Sequence, residues 1–255
     1  MNQQANIPQD YSPRQDLLKD RVIIVTGAGD GIGRGVAKAY AAHGASVVLI
    51  GRTTHKLEAV FDEIVAAGHP EPAIFPMQLH EATEDDFAGL AGGIDNEFGR
   101  LDGIVHNAAE LGSLTPIDHY TADLWQRTLQ VNLTAPFLLT HACLPLLRQA
   151  PDAAILFTST NEHEKSSAYW GGYAVSKQGL DAFMHVLADE LENSSSIRVN
   201  SIDPGAIRTH IRSKAYPGED PNTVPDVDTI IPTYLYLMGD DSQIRGHIIN
   251  GQKVS

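Results

Sequence analysis

The sequence is poor in cysteine, in long apolar runs and in positive charge, and each shortage excludes a class of protein. Its one cysteine, Cys143, cannot close an intramolecular disulfide, so folding needs no oxidising compartment. Cys143 stands in the apolar run 138–147 and reads as a small buried hydrophobe rather than a reactive thiol. No stretch approaches the roughly 18 uninterrupted apolar residues that a membrane-spanning helix needs. The first 20 residues lack the basic-then-apolar layout of a signal peptide, and a cytoplasmic location is the expectation. Acidic residues outnumber basic ones, for a formal net charge of -14. Such a chain is repelled by polyanions, which disfavours nucleic acids and anionic membranes as partners. The 11 histidines are scattered, with no metal-ligand spacing among them or with the cysteine; no metal site is expected.

What is present is enough for one sizeable core: 255 residues, 42% hydrophobic. β-Branched runs alternate with helical periodicity. Strands are expected at 21–26, 45–50, 72–79, 103–106, 153–157 and 197–202. Helices are expected around 36–41 and at 56–67, 85–98, 133–149 and 171–192. Pro136 suits a helix start, whereas Pro145 predicts a bend. Strand–helix alternation up to about residue 202 predicts an α/β fold, a doubly wound parallel sheet with helices on both faces. No repeat or linker divides the chain, so it reads as an N-terminal arm, 1–20, and one domain, 21–255. The stretch 208–228 carries Pro217, Gly218, Pro221 and Pro225. It reads as the least structured part, and as a lid or a passive surface loop.

Glycines 27, 29, 31, 33 and 35 sit where the first strand becomes a helix. Glycine there lets the backbone approach a pyrophosphate, and the helix N-terminus offers free N–H groups and partial positive charge. The strict G-x-G-x-x-G spacing is absent. Gly27, Gly31 and Gly33 fit a G-x-x-x-G-x-G variant, but Gly29, Gly33 and Gly35 fit it too. The second strand ends at Gly51 and Arg52, without the acidic residue that binds a ribose 2′-hydroxyl in NAD sites. A guanidinium there can pair with a 2′-phosphate, which favours NADP(H) over NAD(H). The plain alternative is a solvated surface arginine. Farther on, Tyr173 and Lys177 stand four apart on the long helix, on one face. A phenol near pKa 10 is a poor base at neutral pH, and a nearby ammonium would lower that value.

Taken together, residues 26–33, the segment His106, Asn107, Ala108 and Ala109, then Asn132, the stretch 158–177 and the pair Pro204 and Gly205 resemble the short-chain dehydrogenase/reductase family. The likeness is ordered along residues 20–251. It looks closest to a bacterial subgroup, the YciK-like oxidoreductases, with 14–21 and 237–242 contributing. The resemblance implies a Rossmann fold and hydride transfer between a nicotinamide and a carbonyl or alcohol carbon. It assigns Tyr173 as general acid/base and Lys177 as the group that holds the nicotinamide ribose and lowers the phenol pKa. Asn132 would order a water. Gly27, Asp30, Gly31, Ile32 and Gly33 would form the phosphate turn, and Asn107 and Ala108 would line the adenosine half. Pro204, Gly205, Ile207 and Thr209 would lie beside the nicotinamide. It also implies a homodimer or homotetramer, built on the helices at 133–149 and 171–192.

Departures from the family pattern are informative. Thr160 stands where a carbonyl-polarising serine is usual, with Ser159 beside it; a threonine hydroxyl can donate the same hydrogen bond. Gln78 replaces an aspartate that meets adenine. His106 reads as a packed strand residue. The charged stretch 161–165 reads as a solvated loop or a substrate selector. His163 and His210 read as solvated loop residues that could face the cleft. The departures leave open a second function, a catalytically silent NADP(H)-binding sensor or scaffold. A methyltransferase would need an acidic residue where Arg52 stands.

Overall fold

The computed structural model describes residues 7, 8 and 10–252, apart from the side chains of Glu162 and His163; the expectation for His163 therefore lies outside the described residues. Seven strands form one sheet: β1 (Val22–Thr26), β2 (Ser46–Gly51), β3 (Ala73–Pro76), β4 (Gly103–His106), β5 (Ala154–Thr158), β6 (Arg198–Asp203) and β7 (Ile248–Asn250). Their order is β3-β2-β1-β4-β5-β6-β7, and every pairing is parallel. Parallel strands need covered faces, and the continuous apolar runs of β1, β2 and β5 supply residues to both. Ile23 and Val25 enter one core with α1 (Gly31–Ala42), α2 (Thr54–Ala66) and α9 (Ile231–Met238). Val22 and Ile24 enter the other, with α3 (Glu84–Phe98), α5 (Ala135–Leu147) and α7 (Gly171–Glu192). This is the expected Rossmann-type fold. The strand order reverses between β1 and β4, which opens a crevice at the carboxyl ends of the strands.

Local chemistry sets the helix ends. Asp30 caps α1 by accepting the Gly31 N–H at 2.8 Å. Thr83 and Asp86 form a reciprocal capping box at the start of α3, which holds the helix despite Gly89, Gly92 and Gly93. Pro136 lies in the first turn of α5 and Pro145 lies inside it.

The elements missed from sequence include α4 (Ala122–Leu129), α6 (Glu162–Ser166), α9 and β7. Among these α4 is only eight residues long, and its stripe of Leu124, Trp125, Thr128 and Leu129 spans barely two turns. Between α4 and α5 a wide π-type turn, Gln130–Thr134, interrupts the helical register. The stretch 208–228 is more ordered than expected. It holds α8 (His210–Ala215) and two short turns, Pro221–Thr223 and Val227–Thr229. The Arg208 N–H donates to the Pro225 carbonyl at 2.9 Å, closing the segment on itself. Leu17 and Leu18, placed in the arm by the sequence reading, are buried in the core.

Candidate active site

The crevice is a cleft floored by the strand ends, and it gathers most of the expected residues. Gly27, Asp30, Gly31 and Ile32 line it from the β1–α1 turn, and Arg52 from the end of β2. Asn107 and Ala108 line it after β4, Ser159 and Thr160 after β5, and Tyr173 and Lys177 from α7. Pro204, Gly205, Ile207 and Thr209 line it after β6.

The turn at the outer end fits a phosphate group. Gly31 has φ +51° and Gly27 φ +68°, conformations that side-chain-bearing residues resist. Gly33 lies deeper and serves packing: a Cβ there would stand 2.3 Å from the Gly27 carbonyl oxygen. Gly35 packs in the same manner against Val227. Gly31 and Ile32, in the first turn of α1, line the cleft, and a helix N-terminus is the usual seat of a phosphate. Thr26 ties the neighbouring loop: its hydroxyl oxygen accepts the N–H groups of Asn107 at 2.9 Å and Ala108 at 3.0 Å.

Cations gather where β2 ends. Arg52 is exposed and lies 3.5 Å from Glu110. Lys56, one turn into α2, pairs with Asp30 at 2.6 Å, and that ammonium holds the Asp30 carboxyl below its usual range. Lys56 was missed from sequence because its spacing to Arg52 carries no motif; only the fold of α2 over the β1–α1 turn brings it in.

At the inner end the Lys177 ammonium donates to the Thr158 carbonyl at 2.6 Å and stands 5.8 Å from the centre of the Tyr173 ring. Burial pulls its pKa down to about 8. Tyr173 is buried too. Desolvation, then the charge of Glu164, raise its phenol above the ordinary value, against a hydrogen bond with Thr160 that lowers it. In the free protein burial dominates, and the phenol lies above its ordinary value rather than below it. The two neighbouring hydroxyls point to different partners. Ser159 donates to Asp181 at 2.8 Å, and Asp181 also pairs with Lys165 at 2.6 Å. Thr160 donates to Glu164.

With this geometry in place, similarity to known proteins is decisive. A profile of short chain dehydrogenases matches residues 21–220. The chain belongs to the short-chain dehydrogenase/reductase family. It is 44% identical, over 91% of its length and 92% of the relative's, to the uncharacterised oxidoreductase YciK of Escherichia coli strain K12. A short chain dehydrogenase from Pseudomonas syringae superposes with a TM-score of 0.91 at 48% identity, covering 95% of this chain and 99% of that one. Another, from Escherichia coli CFT073 and complexed with NADPH, gives 0.90 at 43% identity, covering 94% and 100%. The protein is thus an oxidoreductase of this family, and its relation to YciK-like enzymes spans nearly the whole chain.

Not every expected residue meets the short-chain dehydrogenase/reductase cleft. Gln78 does not line it. Its side chain is exposed, and its carbonyl accepts the N–H groups of Glu81 and Ala82 in a turn. Its neighbours Met77, Leu79 and His80 line the cleft instead. Asn132 is buried behind the cleft. It accepts the Glu110 N–H at 2.7 Å and donates to the Glu110 carbonyl and to Ser176, each at 2.9 Å. The π-type turn aims it there. The stretch 161–165 is not a solvated loop: Glu164 and Lys165 are buried, because Glu164 accepts from Thr160, Arg212 and Tyr216 while Lys165 meets Asp181. Trp170, Arg212 and Tyr216 also line the inner end. Arg212 and Tyr216 lie in the segment read as irregular, and neither carried a motif. His210 faces the cleft while remaining exposed. His106 stacks on Phe157 with centroids 4.8 Å apart, and burial pushes its pKa down to about 3, so it is a neutral packed residue. Burial likewise pushes the Cys143 thiol up to about 12, which makes it inert. Among the described residues no helix is long and apolar enough to cross a membrane.

Proposed function

We propose that the protein transfers a hydride between NADP(H) and a carbonyl or alcohol substrate. The observation that carries this reading is one cleft with a phosphate turn and Arg52 at one end and Tyr173, Lys177 and Thr160 at the other. The nicotinamide, when bound, supplies or accepts the hydride. Everything else is done by side chains of this chain. Gly27, Asp30, Gly31 and Ile32 shape the turn for the pyrophosphate, with Gly33 packed behind it, and Arg52, with Lys56, meets a 2′-phosphate. Asn107 and Ala108 wall the adenosine half. Pro204, Gly205, Ile207 and Thr209 wall the inner half. Tyr173 donates its phenol proton to the substrate oxygen in reduction, and Thr160 donates a hydrogen bond to the same oxygen. Ser159 stays on Asp181. Lys177 has donors to spare beyond its bond to Thr158, and they meet ribose hydroxyls. Asn132 fixes the Glu110 backbone and the end of α7.

Other features belong to the same proposal. Phe137 on α5 and Val175 and Val186 on α7 are large exposed apolar residues; we expect these faces to meet a second copy, in a cytoplasmic homodimer or homotetramer.

Calorimetric titration with NADPH and with NADH tests the reading. NADPH is expected to bind about tenfold tighter or more, the size of one charge-assisted contact, and Arg52→Ala should erase most of the difference. Equal affinities would remove the role of Arg52, and binding of neither would remove the proposal. A Tyr173→Phe protein that binds NADPH and turns over like the unaltered one would overturn the acid/base assignment.

A further inference from the structure

Three hydrogen-bond donors converge on one carboxylate beside the catalytic tyrosine, and that carboxylate belongs to the protein. Glu164 Oε1 accepts from Arg212 Nη1 and from the Tyr216 hydroxyl, each at 3.2 Å, while Oε2 accepts from Thr160. Arg212 does not depend on Glu164 for its place. Its Nε and Nη2 donate to the two oxygens of Glu219, each at 2.7 Å, and its guanidinium lies 3.6 Å from the centre of the Tyr216 ring. One N–H edge is left facing the cleft.

The arrangement blocks the chemistry assigned to Thr160. A threonine hydroxyl has one proton to donate, and Glu164 takes it. A substrate oxygen can receive that proton only when the Glu164 carboxylate moves away. The element that carries it, α6 (Glu162–Ser166), is a five-residue helix capped by Asn161, whose side chain accepts the Glu164 N–H at 2.9 Å. Departure of Glu164 would leave Arg212 and Tyr216 with donors and no acceptor. Both side chains are half-buried in the cleft wall, so a ligand that brings acceptor oxygens gains hydrogen bonds there that an apolar one cannot. The two positions to refill are neighbours, since both oxygens of Glu164 are bonded to one carbon. A keto oxygen and a carboxylate oxygen on adjacent carbons, turned to the same side, are neighbours too, somewhat farther apart.

We propose that the substrate is a 2-oxo acid, or in the reverse direction a 2-hydroxy acid, and that Glu164 stands in for it in the free protein. Arg212 and Tyr216 hold its carboxylate, Thr160 and Tyr173 hold its keto oxygen, and Trp170, with Ile211 and Ala215, walls its carbon skeleton. In reduction the C–O π bond opens. The keto carbon receives the hydride supplied by the reduced nicotinamide, the oxygen receives the Tyr173 proton, and the acid gains two electrons as the cofactor loses two. This inference rests on the hydride-transfer reading above.

Two probes separate the inference from that reading. Benzoylformate and its methyl ester share a keto group and differ in the charge at the neighbouring carbon. NADPH-dependent reduction of benzoylformate is expected at a kcat/KM at least about tenfold above the ester, from one charge-assisted contact. Arg212→Gln should erase the ratio, Arg212→Lys should keep part of it, and Glu164→Gln should widen it. Mandelate supplies a readout without turnover: its affinity for the NADPH-loaded protein, followed by cofactor fluorescence, should rise in Glu164→Gln and fall in Arg212→Gln. Reduction of the ester as well as the acid would overturn the inference and leave the oxidoreductase intact. If neither compound is reduced, mandelate decides: binding indifferent to both substitutions overturns the carboxylate site, and the expected opposite shifts support it. If NADPH itself fails to bind, the hydride-transfer reading falls, and mandelate titration of the free protein settles the carboxylate site separately.

Discussion

Acid should destabilise this protein through His106, and the size of the effect can be worked out. The imidazole lies on β4, stacked on Phe157 and hydrogen-bonded through Nε2 to Thr140 at 2.8 Å. Burial is the cause of its depression to about 3, against 6.5 for a free histidine. The unfolded chain therefore takes up a proton below pH 6.5 that the folded one refuses until about pH 3. The stability held above pH 6.5 is lost as pH falls through that window, at about 1.4 kcal/mol per unit. Between pH 7 and pH 5 the loss from this residue is about 2 kcal/mol. His106→Phe keeps a ring against Phe157 but removes the titration. It should cost about 1 kcal/mol at pH 7, because Thr140 loses its partner. Urea unfolding of both proteins at pH 7 and pH 5 measures the difference, and carboxylates common to both cancel. The variant should lose about 2 kcal/mol less than the unaltered protein on acidification. Equal losses would refute the argument. The effect reaches the site, because β4 leads directly into Asn107 and Ala108.

Two further outcomes are expected. Gly33→Ala places a methyl against the Gly27 carbonyl, which cannot yield without moving the turn. It should cost about 1–3 kcal/mol and weaken NADPH binding, whereas Gly89→Ala, with open space around it on α3, should gain up to about 1 kcal/mol. Thermal unfolding with NADPH titration would contradict this if the two variants behaved alike. Lys177, held at about 8 by burial, is an ammonium at pH 7, so kcat/KM for carbonyl reduction should fall about tenfold per unit well above pH 8. Its own contribution to stability rises between pH 8 and its unfolded value of 10.5, because the unfolded chain then binds the extra proton. The loss of rate there is thus not unfolding, and a rate flat to pH 10 would remove the ammonium from the mechanism.

The sheet was legible because its signals are local. Continuous β-branched runs such as 22–25 and 46–50 can form only strands covered on both faces, and helical spacing places α7 at 171–192 to the residue. Positive φ at Gly27 and Gly31 is likewise written in residue type. Local signals failed where burial is decided by distant chain. Helix α4 is only eight residues long, and β7 is three residues long, paired with β6 across more than forty positions of sequence. Gln78 lies in the turn that follows β3, which ends at Pro76 rather than at 79 as expected.

Of the site, sequence alone determined the residue types able to do the work: the glycine turn, Arg52, and Tyr173 with Lys177 one helical turn apart. Tertiary structure decided what those groups experience. It buried Tyr173 deeply enough to raise its phenol rather than lower it, drew Lys177 onto the Thr158 carbonyl, and gave Ser159 to Asp181 and Thr160 to Glu164. It also brought Arg212 and Tyr216, about fifty residues beyond Glu164, to the same carboxylate. Residue identity and spacing are properties of the chain. Desolvation and the choice of hydrogen-bond partner depend on which segments meet, and only the packed fold sets that.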